Sequence, residues 1–415
     1  MLPKARMHLS SLYTPFGVRS VQDAVSYCNR CGMCASACPS YQQTKQEPFS
    51  PRGRNQALRL ALSGKIKLKN ERKLVTDMVR SCTLCGRCVQ HCPGKIPTPE
   101  LVLEMRRRQN IKLLPHALFY LLRLRQVTPR LFSTGMKMIH VLRWTGILHV
   151  LSIFPGCTWI GQVLKIWPHS AHVSCAVKTS SPTLIYLPSF EAEYWMPDLF
   201  EKTYRLAAQK HQVCVWQNTA SGLFEYVYGD LRRSRKILQQ LMAKQAALKH
   251  GTLPVLTDSI EVYYFLKQAP QLFAGFKTLE KKAINFAEHI YYVTDLLPSK
   301  LVAHKKFSSP VQLLSGAAFS QQTDPQLKAQ QILSTLFKKN FVQCGYRDGA
   351  VPPLGYGFVD RSLSSVYMQS VVQLIAAHKT QSVFVLSGLA ALELTYYTRK
   401  LDPKVHVRHI VELNG

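Results

Sequence analysis

Acidic residues are scarce in this chain. Its 415 residues contain 23 Asp and Glu against 53 Lys and Arg, which gives a formal net charge of +30. No Asp or Glu lies between Met105 and Phe190, a segment rich in large apolar residues that holds eleven Lys and Arg. Basic and apolar residues without acidic ones are typical of surfaces that meet anionic lipid, so the segment predicts an interfacial contact. A helical linker packed on the protein's own domains is the alternative.

The sequence also lacks a clear membrane span and a secretory signal. Ile139–Trp167 is the most apolar stretch, but histidines, a proline and two basic residues interrupt it. A spanning helix needs about 20 mostly apolar residues. Residues 1–20 form a short leader that carries Lys4 and Arg6 but no apolar core, so they do not read as a signal peptide. We therefore expect a chain that does not cross the bilayer.

No glycine-rich phosphate loop follows a predicted strand, so the sequence predicts no flavin or nicotinamide site within this chain. The histidines that could suggest catalysis stand alone, outside the spacing of a nucleophile or a metal site. They are His211, His289, His304 and His378. No catalytic residue is therefore assigned.

Cysteine is what the chain has in quantity. Eight of its twelve cysteines fall in two runs, and both runs fit the pattern C-x2-C-x2-C-x3-C-P. This is the spacing of [4Fe–4S] cubanes, in which three thiolates of a run bind one cluster and the fourth binds its neighbour. The pattern predicts two such clusters. Cluster 1 takes Cys28, Cys31, Cys34 and Cys92, and cluster 2 takes Cys82, Cys85, Cys88 and Cys38.

Two other uses of these cysteines are less consistent with the pattern. Zinc sites usually take two separated ligand pairs, which leaves the longer runs and their trailing prolines unexplained. Disulfides suit small secreted domains, and this sequence predicts no secretory signal.

Iron–sulfur clusters transfer electrons, and their thiolates need a reducing compartment during assembly. We therefore expect a cytoplasmic protein, held peripherally at the cytoplasmic face of the inner membrane.

The residues between the ligands are often small, and Gly32 and Gly86 are examples. Small residues let the backbone close around a cluster and direct N–H groups at its sulfurs. Arg30 and Arg87 do not stand at equivalent positions of the two runs, and we interpret them as ordinary basic surface.

The sequence predicts an α+β multidomain protein, with a mostly helical dicluster ferredoxin domain followed by two tandem α/β modules. After the leader come the dicluster domain at 21–108, a basic apolar linker at 109–180, and modules at 181–300 and 301–415. The stretch between the cysteine runs predicts a helix at Asn55–Leu62, and Thr98-Pro99-Glu100 predicts the start of another.

The modules form an internal repeat with an offset of about 128 residues. Predicted strands of the first module are Leu184–Leu187, Val213–Trp216 and Pro254–Thr257. Those of the second are Val311–Leu314, Phe341–Cys344 and Val383–Leu386. Predicted helices are Leu231–Leu248, Pro325–Lys338 and Ser362–His378.

With these motifs in view, the chain resembles the iron–sulfur subunits of glycolate oxidase, and their relatives in anaerobic glycerol-3-phosphate dehydrogenase and heterodisulfide reductase. The segment from Tyr27 to Arg108 carries the resemblance, through the cysteine runs and through Ser50-Pro51-Arg52-Gly53-Arg54. The order of dicluster domain, basic linker and two cysteine-rich modules also matches.

The modules of that family are expected to carry C…CCG…CxxC motifs that bind a further iron–sulfur centre. Most of these positions hold other residues here, and serine or alanine does not replace a thiolate as a soft ligand. The first module has Ser189, then Ala220-Ser221-Gly222, then Ser259-Ile260-Glu261-Val262. The second keeps Cys344 before Gly345 and has Ser387-Gly388-Leu389-Ala390. The resemblance therefore implies scaffold modules without the further centre.

The resemblance implies an electron-transfer subunit. Its partner would be an FAD-containing dehydrogenase of a 2-hydroxy acid such as glycolate or lactate, and its acceptor the membrane quinone. Two alternatives stay open. One is a non-catalytic scaffold or assembly protein with structural clusters, and the other is a cluster-containing nucleic-acid-binding protein, which the charge suits although no binding module is recognisable.

Overall fold

The computed structural model describes residues 9, 11–14, 16–67, 70–108, 134–135, 138, 181–248, 252–297, 310–314, 324–342, 361–401 and 404–414. The basic linker, apart from three residues, lies outside this part of the chain. So do Cys157, Cys175, His304 and Cys344. Among the described residues, no helix has the length and apolarity required to cross a membrane.

The N-terminal part is mostly helical, as predicted. A hairpin of β1 (Ser11–Thr14) and β2 (Gly17–Ser20) precedes six helices. These are α1 (Val21–Ser26), α2 (Pro39–Thr44), α3 (Pro51–Leu62), α4 (Arg72–Arg80), α5 (Arg87–Gln90) and α6 (Thr98–Arg108), with a 3-10 turn at Glu47–Phe49. The helices expected after the Ser50–Arg54 motif and at Thr98 are confirmed as α3 and α6.

The Ser50–Arg54 motif forms the N-cap and the first turn of α3. Ser50 caps the helix, because its hydroxyl accepts a hydrogen bond from the Gly53 N–H at 2.8 Å, and Pro51 follows at the first helical position. A side chain at Gly53 would lie 2.1 Å from the carbonyl oxygen of Glu47, so only glycine fits. Arg52 forms an ion pair with Glu47 at 2.6 Å.

The first module is a four-stranded parallel sheet with strand order β4-β3-β5-β6. Its strands are β3 (Leu184–Tyr186), β4 (Val213–Val215), β5 (Val255–Thr257) and β6 (Ile290–Tyr292). Its helices are α7 (Phe190–Tyr194), α8 (Pro197–Ala208), α9 (Leu223–Val227), α10 (Leu231–Ala246), α11 (Ile260–Lys267), α12 (Ala269–Leu272) and α13 (Lys277–Glu288), and a 3-10 turn follows at Val293–Asp295.

The second module repeats this topology. Its parallel sheet has the order β8-β7-β9-β10, so each of its strands takes the place of its counterpart in the first module. The strands are β7 (Val311–Leu314), β8 (Phe341–Val342), β9 (Ser382–Val385) and β10 (His406–His409). The helices are α14 (Asp324–Phe337), α15 (Arg361–Ala377) and α16 (Gly388–Leu401), with 3-10 turns at Lys338–Asn340 and Ile410–Asn414.

The predicted fold class is confirmed, and all six predicted strands are present. The strands that the sequence did not reveal are β1 and β2 of the N-terminal hairpin, in the stretch expected to be a leader, and β6 and β10 of the two sheets. β6 has three residues and begins directly after His289, the C-cap residue of α13. No apolar run separate from the helix therefore marks this strand. β10 reads His-Val-Arg-His at a sheet edge, so it holds a single apolar residue and no apolar run marks it.

The three parts pack on one another. The helical part and the first module share one hydrophobic core, which runs from Leu12 and Met105 to Leu184 and Phe265. Cys85 belongs instead to the core of the second module, together with Leu314 and Met368. The cysteine-bearing part therefore packs against both modules.

Candidate iron–sulfur site

The two cysteine runs begin with the same backbone path. The residue before the second cysteine has positive φ in both, at 59° for Arg30 and 57° for Leu84. The residue after that cysteine does too, at 85° for Gly32 and 71° for Gly86. A non-glycine residue seldom adopts positive φ, so its occurrence at matching positions shows that the two loops are built alike.

One cavity brings cysteines of both runs together. It encloses about 640 Å³, including its open mouth, and Cys92 of the second run lines it beside three cysteines of the first. Its cysteines are Cys28, Cys31, Cys34, Cys88 and Cys92. The structure thus places the four thiols predicted for cluster 1 around a single space.

The thiol environments divide in the same way. Burial raises the pKa of Cys34 to about 12, and its strongest electrostatic neighbours are Cys28 and Cys92. Burial also raises the pKa of Cys88 well above its usual value, and there the strongest neighbours are Cys85, Cys38 and Cys82. Bound iron would deprotonate these thiols outright. Cys38 therefore lies among the cysteines of the second run, and Cys92 among those of the first.

A buried arginine contacts the second group of cysteines. The guanidinium of Arg54 on α3 is 1% exposed and donates to the sulfur of Cys38 at 3.7 Å. It also donates to the Ser40 and Ser81 hydroxyls at 2.8 Å and to the Met78 carbonyl at 2.7 Å. Although burial lowers its pKa, the charges of Cys82 and Cys38 raise it overall, so the group stays cationic. Sequence reasoning missed this role, although Arg54 closes the Ser50–Arg54 motif.

The interpretation of Arg87 as ordinary surface is wrong. Burial raises the pKa of Cys85, and the backbone N–H and the charge of Arg87 both oppose that rise, so the guanidinium lies near the thiol. Arg87 is only partly exposed. Arg30 is exposed, as predicted, and its carbonyl accepts a hydrogen bond from Arg52 at 3.2 Å.

The two groups of cysteines differ in exposure. Cys31 is exposed, and so are its neighbours Tyr27 and Met33, each 55% exposed. Cys85 is 7% exposed and packs into the core of the second module. The first group therefore includes an exposed thiol, whereas the second includes two buried ones, Cys38 and Cys85.

Arg106 connects the second cysteine run to the first module through hydrogen bonds. Its buried guanidinium donates to the carbonyls of Val79 and Cys82, at 2.8 and 2.9 Å, and to that of Val227 on α9 at 3.2 Å. The neighbouring Arg107 lies over the Tyr226 ring, 4.5 Å from its centroid. The basic end of α6 thus bridges the two parts of the chain.

The degenerate positions of the first module also converge. A second cavity, which we call the module cavity, has a free volume of about 30 Å³. It is lined by Ser189, Ala220, Ser221, Gly222, Ser259, Glu261 and Val262, joined by Glu191 and by Leu389 of the second module. The residues that replace the expected cysteines therefore surround one space. Cys214, the single cysteine of this module, lies outside that lining.

Across the described part of the chain, no three His, Cys, Asp or Glu side chains are grouped for a single metal ion. A cubane makes a different demand, because each thiolate binds a separate iron at its own corner. The cysteine geometry fits such a group. Thiols from both runs surround a common space, and the buried guanidinium of Arg54 contacts the sulfur of Cys38.

Residues 24–96 match the family described as the 4Fe-4S dicluster domain. This part of the chain is an iron–sulfur domain. The match confirms the expected resemblance and the iron–sulfur cofactor, whereas the number of clusters and the ligand of each iron stay predictions.

Curated relatives share this segment with the chain. Lactate utilization protein B of Macrococcus caseolyticus is 33% identical over 87 residues, 20% of this chain and 17% of that protein. A probable glycolate oxidase iron–sulfur subunit of Bacillus subtilis is 28% identical over 99 residues, 24% of this chain and 22% of its own. The H2:CoB–CoM heterodisulfide,ferredoxin reductase of Methanothermobacter thermautotrophicus has a subunit that is 35% identical over 81 residues, 19% of this chain and 38% of its own.

These matches span well under half of each relative, so they define the iron–sulfur domain and not the remainder of the chain. A crystal structure of a hypothetical protein from Helicobacter pylori aligns over 99% of this chain and 85% of that one. Its TM-score is 0.43 and its identity 8%, a similarity too low to define a common fold.

Proposed function

We propose that this chain is the electron-transfer subunit of an oxidoreductase complex and carries two [4Fe–4S] clusters with crossed ligands. The observation that carries the proposal is the proximity of cysteines from different runs, because Cys92 lines a cavity with Cys28 and Cys34, and Cys38 is an electrostatic neighbour of Cys88. In this assignment cluster 1 binds Cys28, Cys31, Cys34 and Cys92, and cluster 2 binds Cys82, Cys85, Cys88 and Cys38.

When bound, the two clusters would each carry one electron, enough together for the two released when a 2-hydroxy acid becomes its keto acid, and would pass them to a quinone that also takes up two protons. The names of two relatives support this substrate class, since one is a glycolate oxidase subunit and the other a lactate utilization protein. The hydride chemistry belongs to an FAD-containing dehydrogenase subunit, outside this chain.

The surface around cluster 1 is suited to the flavoprotein. Cys31 and the exposed Tyr27 and Met33 offer a small apolar contact beside the cluster, and Arg19 lies 4.0 Å from the Tyr27 ring centroid. The chain's net charge of +30 favours a partner with an acidic face, because opposite potentials speed association. Salt should therefore slow electron transfer between the subunits.

In this assignment cluster 2 would lie next to both modules. Cys85 packs into the core of the second module, and Arg106 donates hydrogen bonds to the carbonyls of Cys82 and of Val227 in the first. We assign the modules the role of a scaffold that shields cluster 2 and presents the complex to the membrane. The basic segment at 109–180, by its composition, would hold the complex at an anionic lipid surface on the cytoplasmic face.

The first experiment measures iron and acid-labile sulfide on anaerobically purified chain, with electron paramagnetic resonance before and after dithionite. We expect about eight iron atoms per chain and the paired signals of two interacting reduced cubanes. About four iron atoms, or a zinc stoichiometry, would contradict the count of two.

The second experiment separates electron transfer from a structural role for the clusters. The chain is mixed with an FAD-dependent 2-hydroxyacid dehydrogenase and glycolate or lactate, and cluster reduction is followed at low and high salt. We expect reduction that slows as salt rises. If the reduction potentials of both clusters lay far below those of quinones, the scaffold alternative would be favoured instead.

A further inference from the structure

The module cavity is rich in carboxylates in a chain that has few of them. Three of its lining residues are Glu191, Glu225 and Glu261, and none of its lining residues, all within the described part of the chain, is Lys or Arg. Glu225 has a cationic partner beyond the cavity wall, because Arg233 lies 3.8 Å from it. The other two glutamates, Glu191 and Glu261, are the ones that could bind a ligand in this space.

Glu191 lies at the start of the first module, on α7, and is 3% exposed. Burial raises the pKa of Glu191 to about 8, with further contributions from the charges of Asp258 and Glu261, while the backbone N–H of Leu389 opposes the rise. Its Oε1 atom is buried and has no hydrogen-bond partner. A buried acceptor without a partner is costly, so this atom marks a place for a ligand.

Glu261 approaches the same cavity from α11 and is 1% exposed. Its Oε2 accepts a hydrogen bond from the Ser259 hydroxyl at 2.7 Å. Burial raises the pKa of Glu261, and the hydroxyls of Ser259 and Ser387 oppose that rise. Its second oxygen, Oε1, is also buried without a hydrogen-bond partner.

Asp258 differs from these two. Its carboxylate accepts hydrogen bonds from the Tyr186 hydroxyl and, at 2.9 Å, from the Ser189 N–H, and it does not line the cavity. Both oxygens are therefore used within the protein. Asp258 adds negative charge beneath the cavity but is not available to a ligand.

We propose that the module cavity binds a hard divalent cation, Mg²⁺ or Mn²⁺, through the free carboxylate oxygens of Glu191 and Glu261. Hydroxyls of the lining serines and water supply the remaining oxygen ligands. Mg²⁺ commonly takes one or two protein carboxylates and keeps several waters, so a site with two carboxylates suffices. The donor set contains oxygen and no thiolate, which favours Mg²⁺ or Mn²⁺ over soft metals. The proposal does not depend on the clusters.

The site would lie at the junction of the two modules. Glu191 and Glu261 belong to the first module, whereas Ser387 and Leu389 stand at the start of α16 in the second. The proposed ligands all belong to the first module, and Leu389 of the second module lines the cavity beside them. A bound cation would stabilise the folded chain by linkage, because it binds the folded state and not the unfolded one.

The test uses Mn²⁺ as the probe on the cluster-loaded full chain. Free Mn²⁺ is counted by its electron paramagnetic resonance signal as protein is added, with the clusters oxidised. We expect one tight Mn²⁺ per chain, displaced by Mg²⁺, and weaker binding by about tenfold or more in Glu191→Gln and in Glu261→Gln. Both variants keep a hydrogen-bond acceptor of the same size, so the junction should still fold.

Glu193→Gln is the matched control, because Glu193 is a buried glutamate of the same helix that does not line the cavity. It should bind Mn²⁺ as the native chain does. The native chain also supplies a test without any substitution, since Mn²⁺ should raise its melting temperature above that in chelator. Absence of a stoichiometric site, or binding that both cavity variants retain, would overturn the proposal.

Discussion

The guanidinium of Arg54 lies 3.7 Å from the sulfur of Cys38, inside the protein, and donates a hydrogen bond to it. Cys38 is the cysteine of the first run that we propose as a ligand of cluster 2, so Arg54 would place a positive charge beside that cluster. Positive charge and hydrogen bonds to a cluster's sulfurs stabilise its reduced, more negative form.

Replacing Arg54 should therefore lower the reduction potential of one cluster. We expect Arg54→Gln to shift cluster 2 downward on the order of 50–100 mV, because a unit charge a few ångströms away is removed from a delocalised cluster. Arg54→Lys keeps the charge and should shift the potential less. A redox titration followed by electron paramagnetic resonance measures both midpoints, with Arg59→Gln on the same helix as the control. Equal shifts of the two midpoints would contradict a local effect.

The crossed ligands can be tested by removing one cysteine at a time. Cys38→Ala should lose cluster 2, and Cys92→Ala should lose cluster 1, each leaving about four iron atoms per chain. The two remaining clusters can be told apart, because only the one left in Cys92→Ala should respond to Arg54→Gln. Cys214→Ala is the control and should keep all of its iron. If Cys38→Ala left the cluster that responds to Arg54, the ligands would not be crossed.

Arg106 should matter more for stability than its position at the end of α6 suggests. Its side chain bonds three carbonyls in the interior, and truncation leaves those acceptors unpaired. We expect Arg106→Ala to lower the free energy of unfolding by about 2–4 kcal/mol. Thermal melting and limited proteolysis measure the loss, and the linkage between the iron–sulfur domain and the first module should become sensitive to protease. Arg80→Ala, at an exposed arginine of α4, is the control and should cost far less.

His409 should make the protein sensitive to mild acid. It is fully buried on β10, and burial lowers its pKa from 6.5 to about 4. Its ring lies 3.4 Å from the Tyr292 hydroxyl and accepts from the Val411 N–H at 3.3 Å. Between pH 6.5 and about 4, the His409 imidazole is therefore protonated in the unfolded chain and neutral in the folded chain. The stability that neutral His409 provides is present above pH 6.5 and is lost as pH falls toward 4.

The measurement is the melting temperature of the native chain and of His409→Gln between pH 7.5 and 5. The native chain should lose about 1.4 kcal/mol more than the variant for each pH unit below 6.5. Exposed His378 provides the control, and His378→Gln should keep the native pH profile. Parallel profiles for the native chain and His409→Gln would show that another group controls acid stability.

Sequence determined the local features of this protein. The spacing of the cysteines predicted an iron–sulfur domain, since ligands a few residues apart must share one loop. Runs of apolar residues predicted the central strands, because a parallel strand is buried on both faces. Apolar residues at helical spacing predicted a helix at Asn55–Leu62, and the structure begins that helix, α3, four residues earlier at Pro51. Short or polar edge strands such as β6 and β10 escaped, because tertiary pairing rather than an apolar run defines them.

Only the tertiary structure decided what comes together over long separations. Spacing predicted that Cys38 and Cys92 exchange partners, but the fold brings Arg54 to Cys38, buries Cys85 in the second module and leaves Cys31 exposed. The fold also gathers Glu191 and Glu261, seventy residues apart, into one cavity. No local pattern encodes these contacts, because they depend on how whole sheets and helices pack, whereas a ligand loop is set by its own few residues.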